Sequence, residues 1–486
     1  MVFNRHKGRY RDNKFYENML SLMQQDEQQQ QVAMEQVLSR TIEKALRIPL
    51  FADKKEELSS IKDLDSLQCS GFYMEPDKIL PRAEPNWPLL LDNEKIIFTA
   101  KTSASSGTPK IMPFTKDSLE HAGLGFSPFV AKQILELRRQ GIEKTLLLAL
   151  TASSDFVTYN AIPSVSVYAG MDIIHAPLTH IILQPEVAQE LVDIILKEDI
   201  HCIGTVAPMI HPLLNALRRV KNGEKAIARM QETMKFGFYG GTEIYQHLER
   251  DLRQIFGPII NLFASTEYLV TAGSHGEEDC QTMFFNPNYC IPGIIPLEEI
   301  EKEQSGYTPK MCLWYEAPEG MIGEIVITTP MAIPWINART SDYGMVVKDH
   351  GSYNAPAFKF YAKGSKILDI GGAKIFPGEI ETPLNSLDDI TDFLVQGVKG
   401  YEIDSNRDCL LTYIEGCASP EVIETVIRAH ATELDFILEH NMADLEIQYV
   451  KPGTLQELRG KKSRKLGNAP GPLKHKVIKG KQYILN

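Results

Sequence analysis

Thr102-Ser103-Ala104-Ser105-Ser106-Gly107-Thr108-Pro109-Lys110 follows the strand-like run Ile96-Ile97-Phe98-Thr99, and the reading of this stretch decides the reading of the chain. Small side chains let backbone N–H groups face phosphate oxygens, hydroxyls add donors and a closing lysine adds charge, so the stretch suits a polyanion. It is not the GxxxxGK[ST] loop of common nucleoside triphosphatases, because Lys110 precedes Ile111 and the glycine spacing differs. Alone, it reads equally as a Ser-rich surface turn. The decision comes from the segments around it.

Downstream, Ser118 to Gly123 and Pro128 to Arg139 read as two helices, and Thr145 to Leu150 as a strand covered on both faces. The helix around Val187, Leu191, Ile194 and Ile195 leads to a second apolar run, His201 to Val206. Phe236 to Thr242, a helix from Ile244 to Phe256, and Ile259 to Phe263 continue the alternation. Strand, helix, strand at this spacing predicts a parallel α/β sheet. Ligands of such sheets sit beyond the carboxyl ends of the strands, which puts Gly240-Gly241-Thr242 and Ala264-Ser265-Thr266-Glu267 on one rim. Upstream, Met34, Val37, Leu38, Ile42, Ala45 and Leu46 have the rhythm of an amphipathic helix. The Gln-rich Gln24 to Gln31 before it is a helix start or a loose arm. Pro81, Pro85 and Pro88 then break regularity before a strand at Asn93 to Thr99.

From Glu324 to Thr329 onward the texture is β, with Arg339-Thr-Ser-Asp342 between two strand-like runs. Glycines at 364, 371 and 372 make Lys363 to Gly372 the hinge candidate. Beyond it come a strand, a helix from Pro420 to Asn441, a strand from Leu445 to Val450, and a tail rich in Lys, Gly and Pro.

At 486 residues there is room for two or three domains, and 43% hydrophobic with 23% charged residues describes a globular chain. A net charge of -12 argues against a dedicated nucleic-acid surface. Seven cysteines with no CxxC pair read as reduced thiols, the start lacks a secretory apolar run, and no stretch reaches ~18 apolar residues. The expected location is cytoplasmic, with neither membrane nor nucleic acid as partner. His175 with His180, and His201 with His211, lack HExxH-like spacing and read as buried or surface histidines rather than metal ligands. Phe156, Tyr159 and Tyr239 are either walls of an acyl pocket or ordinary core.

Four pieces thus recur in order: the Ser/Thr/Gly loop ending in Lys110, the Ser265-Thr266-Glu267 turn, Arg339-x-x-Asp342, and a Gly-rich hinge before Pro377-x-Glu-Ile-Glu381. This resembles the acyl-, aryl- and amino-acid-adenylating superfamily, and within it the acyl-acid amido synthetases, the auxin-responsive family. Residues 102–113 are similar to that family's TSGTSSGxxK(x)xP. Phe263 to Tyr268 resembles its Y-A-S-[ST]-E. Thr328 to Asp342 with Asn354 to Phe360 resembles TT...YRxGD...N-x-A-P-x-F, and Pro452-Gly-Thr454 with Gly467 to Lys474 resembles PGTF and G-A-x-x-x-Q-x-K. The likeness spans roughly residues 95 to 475. Ala104 and Ser105 stand where the family has Gly and Thr, Ala338 and Ser341 replace the Tyr and Gly of YRxGD, and Asp369 sits where the superfamily often has a lysine.

The resemblance implies an α/β fold: a large adenylation domain (1–362) with parallel sheets and a β-rich part, a hinge (363–372), and a small mobile α+β lid (373–486). It implies an AMP-forming ligase that joins a small carboxylic acid to an amino acid or other amine, with ATP and Mg²⁺ as cofactors. Thr102, Ser103, Ser105, Ser106, Gly107 and Lys110 would hold the polyphosphate, Ser265 and Thr266 would line the nucleotide site, and Thr266 would donate to the α-phosphate. Glu267 would place Mg²⁺, Asp342 would accept from the ribose hydroxyls, and Arg339 would touch the nucleotide or brace Asp342. Lys474 would swing in from the lid, with Lys481 as its rival. A thioester-forming ligase and a non-catalytic nucleotide-binding protein of the same fold are the alternatives.

Overall fold

In the computed structural model the described residues are 3–80, 87–92, 94–101, 111–151, 157–205, 210–240, 246–277, 280–303, 306–348, 353–363, 368–370, 373–375, 377–398, 407–439 and 443–455. The chain divides into two compact units, one of Met1–Thr340 with Gly344–Phe360 and one of Ser341–Tyr343 with Tyr361–Asn486.

The first unit opens with β1 (Asn4–His6), and a hairpin of β2 (Ile96–Lys101) with β3 (Ile111–Thr115) brackets residues 102–110. Five strands follow, each reached through helices: β4 (Leu146–Thr151), β5 (Asp172–Pro177), β6 (Cys202–Thr205), β7 (Phe236–Gly240) and β8 (Ile259–Ser265). They run parallel in the order β5-β4-β6-β7-β8, and β1 closes the outer edge of β5 in antiparallel register. Leu147 and Ala149 enter one apolar cluster while Leu148 and Leu150 enter another, so β4 is apolar at every position because helices cover both faces.

After β8 the direction changes. β9 (Leu269–Gly273), β10 (Thr282–Phe285), β11 (Ile291–Pro296), β12 (Cys312–Leu313), β13 (Ile322–Pro330), β14 (Pro334–Val347) and β15 (Ala357–Lys363) extend the same sheet, in the order β8-β9-β10-β15-β14-β13-β11-β12. The parallel strands and the β-rich part expected within one domain belong to one 13-stranded mixed sheet among the described residues.

Two local expectations change. The helices placed at 118–123 and 128–139 are one helix, Lys116–Arg139, capped by the Thr115 and Ser118 side chains and running through Pro128. Burial around nearly its whole circumference outweighs the hydrogen bond that Pro128 cannot donate. Gln24 to Gln31 becomes a helix start: Asp26 accepts from the Gln29 N–H and the Gln29 side chain accepts from the Asp26 N–H, capping Glu27–Arg47.

The second unit has its own core. β16 (Leu368–Ile370) pairs with β17 (Ala373–Ile375), and β18 (Ile390–Val398), β19 (Asp408–Gly416) and β20 (Ala443–Tyr449) form a three-stranded sheet in that order. Leu368 and Ile370, inside the expected hinge, are fully buried with Phe393, Leu410 and Ile423. The helix expected over 420–441 is two, Pro420–His430 and Thr432–Glu439, broken at the buried Ala431. The carboxylate of Glu415, at the end of β19, accepts the N–H groups of Gly453 (2.8 Å) and Leu455 (2.6 Å), which fixes the Pro452-Gly453-Thr454 turn.

Candidate functional site

The order β5-β4-β6-β7-β8 reverses chain progression between β4 and β6, the place where an open α/β sheet forms a crevice at its carboxyl ends. Thr151, Thr205, Gly240 and Ser265 end four of these strands on that rim. At the crevice, Thr151 Oγ1 and His175 Nε2 share a 3.0 Å hydrogen bond, with the Tyr159 ring 4.2 Å from the imidazole. Burial first, and His6 second, push the His175 pKa down to about 4, so the ring is neutral near pH 7. On the opposite face of the sheet, in register with Tyr239, Thr205 Oγ1 is buried with no hydrogen-bond partner among the described residues. An orphaned hydroxyl at the end of a rim strand is a group that a ligand or water can satisfy.

At the far end of the parallel series, β8 returns into β9 through Thr266, Glu267 and Tyr268. Four backbone groups of this turn are held by side chains. Ser265 Oγ accepts from the N–H groups of Glu267 (3.1 Å) and Tyr268 (3.2 Å). The Trp335 indole N–H donates to the Glu267 carbonyl at 2.9 Å, and the Tyr289 hydroxyl donates to the Tyr268 carbonyl at 2.5 Å. The Glu267 carboxylate, by contrast, has no hydrogen-bond or ion-pair partner among the described residues. Ser265, expected to contact nucleotide, spends its oxygen lone pairs on the turn itself.

Arg339 lies on β14, four residues beyond Trp335. Its Nε reaches Glu324 at 2.9 Å, a second nitrogen pairs with the same Glu324 oxygen, and a third reaches Glu303 at 2.6 Å. Burial works against the guanidinium charge, but the two carboxylates outweigh it and raise its pKa. The partners of Arg339 are thus Glu324 and Glu303, neither of them the Asp342 that it was expected to brace. Asp342 is half-buried three residues on. Ser341 has φ 57°, the left-handed region, at the position where YRxGD has glycine.

Other candidates fall elsewhere. Tyr239 is buried in the core on the face opposite His175. His201 accepts the Leu146 N–H at 3.0 Å, and His180 is exposed. No group of three or more His, Cys, Asp or Glu placed to hold a metal occurs among the described residues. Thr102, Ser103, Ser105, Ser106, Gly107, Lys110, Phe156, Lys474 and Lys481 lie outside the described residues. No helix of the described residues is long and apolar enough to cross a membrane. Sequence reading missed Trp335, Tyr289 and the Thr151–His175 pair, because a buried aromatic residue or histidine carries no local pattern that separates it from core.

No protein-family model matches the chain, and no curated protein matches it in sequence. Solved structures do match. An acyl acid amido synthetase, GH3.15, in complex with 2,4-DB is 15% identical over 93% of this chain and 92% of that one, with a TM-score of 0.66. A 2-hydroxyisobutyryl-CoA ligase in the postadenylation state, in complex with 2-HIB-AMP, is 14% identical over 91% and 89%, with a TM-score of 0.64. The chain has the fold of the acyl-adenylate-forming ligases, a fold that amido synthetases and CoA ligases share.

Proposed function

We propose that this chain is an ATP-dependent ligase that activates a small carboxylic acid as an acyl-adenylate, releasing pyrophosphate. An amino acid or other amine then attacks, forming an amide and releasing AMP. The observation that carries this reading is the Glu267 turn: a rigid backbone on the rim of the sheet, presenting a carboxylate with no described protein partner. A carboxylate with no partner among the described residues fits the hard-cation preference of Mg²⁺, which takes one or two carboxylates plus phosphate oxygens.

Displacement at phosphorus needs positioning and charge neutralisation more than a covalent catalyst. In this reading Thr102, Ser103, Ser105, Ser106, Gly107 and Lys110 grip the polyphosphate, and Thr266 donates to the α-phosphate. Glu267 holds Mg²⁺, which neutralises phosphate charge, and Asp342 accepts from the ribose. Arg339 acts indirectly, by fixing β14. A lid (373–486) turning on the 363–372 segment brings Lys474, or Lys481 in its place, to the reacting groups.

The test is acid-dependent exchange of pyrophosphate into ATP across aromatic, fatty and hydroxy acids, followed by product mass with an amino-acid pool or with coenzyme A. Amide masses are expected. The fold likeness to a CoA ligase supports thioester formation as the second reading, and thioesters alone would replace the first. Absence of exchange with every acid points to a non-catalytic nucleotide-binding protein. Lys110→Ala or Asp342→Ala protein exchanging at the wild-type rate would show the nucleotide to be misplaced.

A further inference from the structure

The geometry points to Trp335 and Tyr289 as positioning residues that aim the Glu267 carboxylate at the divalent cation of a nucleotide–metal complex, an inference that rests on the reading of Glu267 just proposed. Leu269, at the end of the turn, has φ 52°, a conformation that costs a branched side chain roughly 1–2 kcal/mol. Such a backbone persists only where its surroundings over-determine it. Here they do so through two ring donors, one on each carbonyl, and one hydroxyl acceptor shared by two N–H groups.

Both donors are themselves immobilised. Trp335 is fully buried, with its ring edge-on to Tyr268. The Tyr289 ring stacks on His121 at 4.5 Å and lies against Gly125, where an added Cβ would fall 2.6 Å from the ring. Burial raises the Tyr289 pKa well above that of a free phenol, so the hydroxyl keeps its proton. Its other neighbour, Met331 Sδ at 3.2 Å, is the weaker acceptor, leaving the Tyr268 carbonyl as the proton's target. Neither aromatic residue needs to touch substrate, since each acts through the backbone of the turn.

A matched control is present in the same unit. Trp314 is equally buried, and its indole donates to the Ala357 carbonyl at 2.9 Å, outside the turn. The experiment measures Mn²⁺ affinity by electron paramagnetic resonance in the presence of a non-hydrolysable ATP analogue, for wild type, Trp335→Phe, Tyr289→Phe, Trp314→Phe and Glu267→Gln, with melting temperatures in parallel. Partners that orient a ligand typically matter on the order of tenfold in metal affinity. Trp335→Phe and Tyr289→Phe are expected to weaken Mn²⁺ binding by about that factor, while Trp314→Phe leaves it within about twofold despite a similar fall in melting temperature. Tyr289→Phe removes one oxygen only, so it carries the test should Trp335→Phe not fold. The inference is overturned if Glu267→Gln weakens Mn²⁺ binding while both ring variants behave like Trp314→Phe. If Glu267→Gln itself binds Mn²⁺ as wild type does, the inference and the reading of Glu267 fall together.

Discussion

Ser341 carries a left-handed backbone on a side chain that disfavours it, and a comparison of two variants isolates the cost. Ser341→Gly and Ser341→Ala both lose the hydroxyl, so whatever it contacts cancels between them. The glycine protein is expected to be the more stable by about 1 kcal/mol, read from paired denaturant curves. Equal stability would mean that φ at 341 is not left-handed in solution. The motif comparison had marked this residue as a departure from glycine, and the backbone shows what the glycine is for. Ala338 is the opposite case: its replacement of an aromatic residue is visible in the sequence, but its full burial beside Met74 is not. That packing depends on a segment more than 260 positions away, which no local pattern records.

Among the elements, β14 is the strand on which most depends. Asn337, 2% exposed with φ 44°, donates to the Leu67 and Phe72 carbonyls at 3.2 and 3.1 Å and accepts from Thr328. Beside it, the Met74 N–H reaches the Asn337 carbonyl and the Arg339 N–H reaches the Met74 carbonyl. One amide thus ties the 67–74 segment to the strand that also holds Trp335 and Arg339. Asn337→Asp keeps the shape but removes both donors and buries a charge. Loss of about 3 kcal/mol or more is expected from chemical denaturation. Exchange activity should fall with it, because Trp335 lies two residues away. The alternating α/β elements were legible because a doubly covered strand is apolar at every position. The merging of the parallel and antiparallel regions was not, since edge-to-edge pairing leaves no periodic trace.

For the molecule as a whole, two histidines, the buried His175 and the half-buried His121, set an acid limit. His121 donates its Nε2 proton to the Tyr289 carbonyl at 3.1 Å. Burial, with Arg40 and Lys44 adding to it, lowers its pKa to about 4, and His175 is lowered equally. Because the folded pKa values lie below the unfolded value near 6.5, the unfolded chain binds more protons between them. Stability is therefore complete above pH ~6.5 and falls as the pH drops towards 4, by up to roughly 3 kcal/mol for each ring. Melting temperatures across pH 7.5 to 4.5 should show this decline, and His121→Phe, which keeps a stacked ring, should flatten it. A slope unchanged by His121→Phe would assign the decline to other groups. The rim and its Ser265-Thr266-Glu267 turn were readable from sequence, since polar residues after an apolar run stand out. The rings that lock the turn were hidden, because tryptophan and tyrosine in a core look alike whether or not their polar tips have work.

The direct return of β8 into β9 also bears on how this scaffold can be altered. Side chains alternate along both strands, so one residue added between Ser265 and Leu269 would turn a whole buried row of β9 outward. Crossings that pass through a helix, as after β4, β6 and β7, have length to spare before the next strand begins. Insertions or grafts that reshape this fold belong there, whereas the stretch between Ser265 and Leu269 has to keep its length.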